Sequence, residues 1–329
     1  MFRFNTIKME IAMKKIYVVC ILLVMIGCAN ENSLEKEINT IPIDLNVVRF
    51  DQIFLNATPS DLPKLKEVYP LFFPSSIPDS TWVYTMRDPL QKELKQEIDI
   101  VFSDFTTVQK DIKSVLQHIK FYFPEYTIPK VYTVTTEDYR KKVILYEDMI
   151  LIALNTYLGT DHKYYEGIQN YIVQNFKKEM IPVDIATEFA LTQLRPSRDR
   201  SFLSKMIFHG KEQYIKSLLV PNASAAMQFG YTERQIEWAA ANEAQIWTYF
   251  IEKELLYSTD NKLDARFLSL APFSKFYLEL DAESPGGIGR YIGYQIVDAY
   301  MKNNDVYLQE LLEKTPEEIF NNSKYKPKK

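Results

Sequence analysis

The chain has 329 residues and a formal net charge of -4, with 47% hydrophobic and 25% charged residues. Its 22 tyrosines and 20 phenylalanines are more buriable surface than a disordered chain carries, and its acidity excludes the basic footprint of a nucleic-acid binder. Nine glycines are few, which disfavours collagen-like and many-turned β architectures and points to helices.

The N-terminus reads as a targeting segment with Met13 as its start. Lys14 and Lys15 lead an apolar run from Ile16 to Ile26, and Gly27 and Cys28 close it. The run is shorter than the ~20 residues that a spanning helix needs. Met25-Ile26-Gly27-Cys28 resembles the bacterial lipobox, which implies cleavage before Cys28 and lipidation of its thiol. Residues 1–27 are then a signal peptide, 28–39 a lipidated tether of Ser, Asn and Glu, and 40–329 a single globular domain. The removed piece carries Arg3, Lys8, Lys14 and Lys15 against Glu10, so the remainder is more acidic. Cys20 leaves with it, and no thiol remains for a disulfide or a metal. Several acyl chains on one residue attach a protein durably to a membrane. Ala29, where an Asp would signal retention, favours the outer membrane, facing the periplasm, over the inner one.

Beyond the tether, Ile43 to Phe54 alternates as a strand, and five prolines from Pro59 to Pro78 mark an irregular stretch. Asp88 to Phe123 has apolar residues three or four apart, as in one amphipathic helix or a broken pair. Val131 to Thr135 and Lys142 to Leu154 are β-branched or apolar runs that form a small sheet. From Tyr164 helices dominate, including Pro182 to Leu194 and a long one from Thr232 to about Leu256. Thr232 with Gln235, and Thr315 with Glu318, are capping boxes. The fold expected is α+β, helix-rich, with a small sheet in the N-terminal half.

Chemistry is sparsely signalled. His118, His162 and His209 lie far apart, which argues against a metal site. The nearest approach to a metallopeptidase helix is Thr187-Glu188-Phe189-Ala190-Leu191, which has the glutamate but neither histidine ligand. Glu188 alone reads as a solvated helix residue. Phe276 to Leu280 as a strand before Gly287, Gly289 and Gly293 would mimic a dinucleotide fingerprint, but no second strand follows. The preferred reading makes Ser284 a helix cap, Pro285 its first turn, Gly289 and Gly293 a close backbone contact, and Arg290 an exposed cation. Trp238, Trp247, Tyr249, Phe250 and Tyr257 read as core packing ahead of a sugar platform. No nucleophile motif occurs, and neither cofactor nor metal is expected.

The strings Gly210–Tyr214, Gly230–Thr232, Asn242–Trp247, Ala271–Phe273, Glu283–Val297 and Ser323–Pro327, with Tyr157-Leu158-Gly159 and the lipobox, resemble the gliding motility lipoprotein GldB family of Bacteroidetes. Glu283–Val297 includes Gly286, Gly287 and Tyr294, a candidate structural or interaction motif. The resemblance implies a non-enzymatic cell-envelope lipoprotein for gliding motility, linked to type IX secretion and partnered by other envelope proteins. A more distant likeness is to predicted zinc-dependent peptidases. It implies a zincin-like, metal-free scaffold in which Thr187 and Leu191 replace two ligands and His209 stands for the third. A residual hydrolase using Glu188 or His209, or a peptide- or glycan-binding lipoprotein, is the alternative.

Overall fold

The computed structural model describes residues 33–328, so the lipobox, Cys28 and the start of the expected tether lie outside it. Residues 33–39 form helix α1, which corrects the expected tether: Ile38 is fully buried, and Gln117 donates to the carbonyls of Asn39 and Ile41 at 2.9 Å each. Strand β1 is only Val47–Val48, because the expected strand turns into helix α2, Phe50–Leu55. The Phe50 ring stacks on Phe72 at 4.1 Å, and an extended chain would carry it away from that partner. Helices α3, Leu62–Val68, and α4, Asp79–Arg87, occupy the proline-rich stretch. The broken helix pair is α5, Pro89–Val101, and α6, Thr106–Tyr122.

Strands β2, Lys130–Val134, β3, Val143–Tyr146, and β4, Met149–Ala153, complete a sheet of order β1-β2-β4-β3. Only β3 runs antiparallel, paired to β4 through a turn in which Glu147 takes a left-handed φ of 48°. Alternate residues face opposite sides of a strand. Val131, level with Ile150, enters the main core, while Tyr132 and Val134 pack on a smaller core of Phe50, Leu62, Leu65, Phe73 and Met86.

After a short helix α7, Asn170–Val173, the main core is closed by α8, Ile181–Thr192, and α9, Phe202–Leu219. The expected long helix divides at Asn242, after α10, Ala225–Phe229, into α11, Glu233–Ala241, and α12, Glu243–Glu252. Asn242 ends α11 by donating its side-chain amide to Trp238 O at 2.8 Å. Trp247 and Phe250 are buried as core residues, whereas Tyr257 is exposed. Then come α13, Lys262–Phe267, α14, Ile288–Asn303, α15, Leu308–Glu313, and α16, Pro316–Ser323. Both capping boxes are formed. No strand precedes the glycine cluster; residues Glu279–Glu283 form a 3-10 turn instead. The molecule is α+β and helix-rich, with its small mixed sheet in the N-terminal half.

Candidate functional site

On α8, Asp184, Thr187, Glu188 and Leu191 are spaced to share one stripe, while Ile181, Ile185, Ala186, Phe189 and Ala190 are buried in the core. Helix α9 crosses the middle of the protein, and its second half carries the buried charges Glu212 and Lys216. The sheet side supplies Lys142 and Tyr157. Both donate to Asp184 Oδ2, Lys142 at 2.6 Å and the Tyr157 hydroxyl at 2.8 Å. Burial, with the Asp184 charge beside it, holds the Tyr157 phenol protonated well above its usual range.

Glu188 is half-buried, contrary to the solvated position expected of it. Burial raises its pKa, and the like charges of Asp184 and Glu212 raise it further against Lys142. Glu212 is the opposite case. Burial works against its ionisation, but the His209 hydrogen bond, Lys216 and Arg290 outweigh it and hold the carboxyl at about 2. Lys216 is pushed down to about 8 by burial, with Glu212 opposing. Six charged side chains, Lys142, Asp184, Glu188, Glu212, Lys216 and Arg290, thus form one compensated layer from the sheet to the start of α14.

The positions that would hold a metal do not fit one. Thr187 donates its hydroxyl to Val183 O at 2.8 Å, Leu191 ends in hydrocarbon and is partly exposed, and His209 Nδ1 is bonded to Glu212 at 2.8 Å. Among the described residues no group of three His, Cys, Asp or Glu side chains is placed to grip a metal ion.

The glycine motif forms the other wall of α9. A Cβ on Gly293 would fall inside the Met206 carbonyl, and one on Gly210 inside that of Gly293, so the backbones of α9 and α14 touch. A Cβ on Gly289 would meet the Phe267 carbonyl at 2.9 Å, and one on Gly286 would collide with Ala271. Ser284 is not the helix cap. It is buried and donates to the carbonyls of Ser274 and Asp281, while Pro285 precedes the helix and Gly287, at φ 70°, is the N-cap residue. The capping oxygen comes from Ser274 Oγ, which accepts from Ile288 N at 3.1 Å and donates to Pro285 O at 2.7 Å. Arg290 is half-buried rather than exposed, with Nε donating to Leu268 O at 2.6 Å. The Tyr294 ring meets Phe229 edge-on.

The charges that sequence reasoning missed are Lys142, Asp184, Glu212 and Lys216. Two faint signals existed: Asp184 lies four residues before Glu188, and Glu212 four before Lys216, spacings that put each pair on one helix face.

A family model for the gliding motility protein GldB matches residues 31–327. The chain belongs to the GldB family. The searches of curated proteins and of solved structures returned no match. This is a family of gliding motility lipoproteins, and no helix among the described residues of this GldB chain is long and apolar enough to cross a membrane. Two of its strings, Asn242–Trp247 and Ser323–Pro327, meet at Glu243, which is 1% exposed. Its carboxylate accepts from the Tyr325 hydroxyl at 2.9 Å, Lys328 N at 3.2 Å and the Tyr291 hydroxyl at 3.3 Å.

Proposed function

We propose that this GldB-family chain is a lipid-anchored envelope protein that supports gliding motility and the associated type IX secretion by binding other envelope proteins, without catalysis. The scaffold is read as that of a zinc-dependent peptidase whose metal site has been rebuilt, and the anchor as Cys28 in the outer membrane, facing the periplasm. The observation that carries the reading is the fate of the would-be ligand positions: Thr187 is tied to its own helix, Leu191 ends in hydrocarbon, and Glu188 stands between two like charges and Lys142 instead of between histidines. Such a layer joins helices, and among the described residues it presents no ligand set at which Glu188 would face a metal-bound water.

The test is complementation of a gliding-deficient strain. Glu188→Gln is expected to restore motility, purified protein to contain less than stoichiometric zinc, and Cys28→Ser to lose both lipid and membrane attachment. A chelator-sensitive zinc whose removal abolishes function would reverse the assignment. One observation favours a second reading, a residual hydrolase: His209 Nδ1 is engaged by Glu212, and the ring lines a cavity. Peptide hydrolysis abolished by His209→Gln would establish it.

A further inference from the structure

The loop joining α8 to α9 carries Arg195, Arg198 and Arg200. A cavity of about 420 Å3 beneath it is lined by Arg200, Lys205, His209 and Arg290. A second cavity of about 410 Å3 is lined by Arg195, Lys211 and Lys314. The two share Ser197, Ser204 and Phe208 as a common wall, so they lie side by side along α9 as a two-part trench. In a chain of net charge -4, this is a local reversal of sign.

Of the trench's three acids, Asp199, Asp264 and Glu313, the first two are committed and Glu313 stands exposed on the wall of the second cavity. Asp264 takes Lys205 at 2.8 Å, and Asp199 accepts from the backbone and hydroxyl of Ser201 at 2.8 Å each. Arg195, Arg200 and Arg290 form no close ion pair among the described residues. Arg290 is fixed by its Nε bond to Leu268 O, and its charge faces Glu212, but among the described residues its terminal nitrogens form no hydrogen bond. Half-buried donors left unbonded favour a ligand that supplies acceptors. A guanidinium presents a fork that matches a carboxylate.

We propose that this trench binds an extended acidic peptide segment of a partner protein, with carboxylates taken by Arg195, Arg200 and Arg290. Two cavities side by side suit a chain better than a single small anion, and Pro196, Phe208 and Pro316 offer apolar surface to its other side chains. The inference deepens the interaction reading above and rests on it.

The test titrates detergent-solubilised full-length protein, by calorimetry, with an oligoglutamate peptide capped at both ends, with oligolysine, and with inorganic phosphate. Oligoglutamate is expected to bind, more weakly as salt rises, and Arg195→Gln and Arg200→Gln are each expected to weaken it about tenfold. Both arginines are exposed, so folding is not at stake. Arg290→Lys, which keeps the charge but loses the fork, should also weaken it. Absent binding, binding unchanged in these variants, or phosphate binding as tightly as the peptide overturns the proposal. Envelope pull-downs then separate two failures. Partners retained by an Arg195→Gln/Arg200→Gln double variant sink the trench alone, whereas no specific partner with wild type sinks the interaction reading as well.

Discussion

Toward α14, helix α9 makes its closest contact without side chains: Gly210 and the Met206 carbonyl touch the backbone at Gly293. Toward α8 it offers charge, with Glu212 and Lys216 set among Asp184, Glu188 and Lys142. The first contact is held by shape, so it is indifferent to pH and salt and intolerant of added volume. The second is held by charge, so it tolerates volume better than the loss of the buried carboxylate Glu212. One helix therefore joins its neighbours by two unlike means.

The largest expected effect comes from unbalancing the charged side. Glu212→Ala removes the main compensation of buried Lys216 and the partner of His209, at a cost of about 3–5 kcal/mol in urea unfolding. A loss near zero would show that the layer does not hold the helices. Next is acid. Glu212 sits at about 2 in the folded protein against an ordinary 4.5, so below 4.5 the unfolded chain takes the proton first. Its contribution, roughly 3 kcal/mol, is complete above pH 4.5 and lost as the pH falls towards 2. Acid titration of unfolding checks this, and Glu212→Ala should flatten the curve over that window.

On the glycine side, Gly293→Ala is expected to cost about 1–3 kcal/mol by forcing the backbones apart, equally at neutral and acid pH and at low and high salt. A salt-dependent loss would mean the two contacts are not independent. The smallest effect belongs to Glu188→Gln. It relieves a carboxylate disfavoured by burial and by two like charges, so stability should stay within about 0.5 kcal/mol of wild type or rise slightly.

What was legible in the sequence was local. The capping boxes at Thr232 and Thr315 and the amphipathic pair over 89–122 rest on neighbours within a few residues, and they stand where the pattern puts them. Features set by distant partners were not legible. Phe50 leaves the strand for a ring 22 residues away, and the start of α14 is capped by Ser274, 14 residues upstream. Glu188 was visible as a lone acid, but its surroundings come from Lys142 just before β3, from Tyr157 after β4 and from α9, and no window along the chain contains them together. The string around Glu212 marked the family without revealing that its carboxylate is buried and ionised.

The Glu243 latch bears on the order in which the protein can fold. A chain emerging from its N-terminus delivers Glu243 82 residues before Tyr325, the hydroxyl that satisfies it most closely. Until that segment arrives, α12 cannot settle without either hydrating the carboxylate or leaving it short of donors. The segment 325–328 therefore completes the burial of Glu243, and a chain clipped before it would leave that carboxylate with the Tyr291 hydroxyl as its remaining donor.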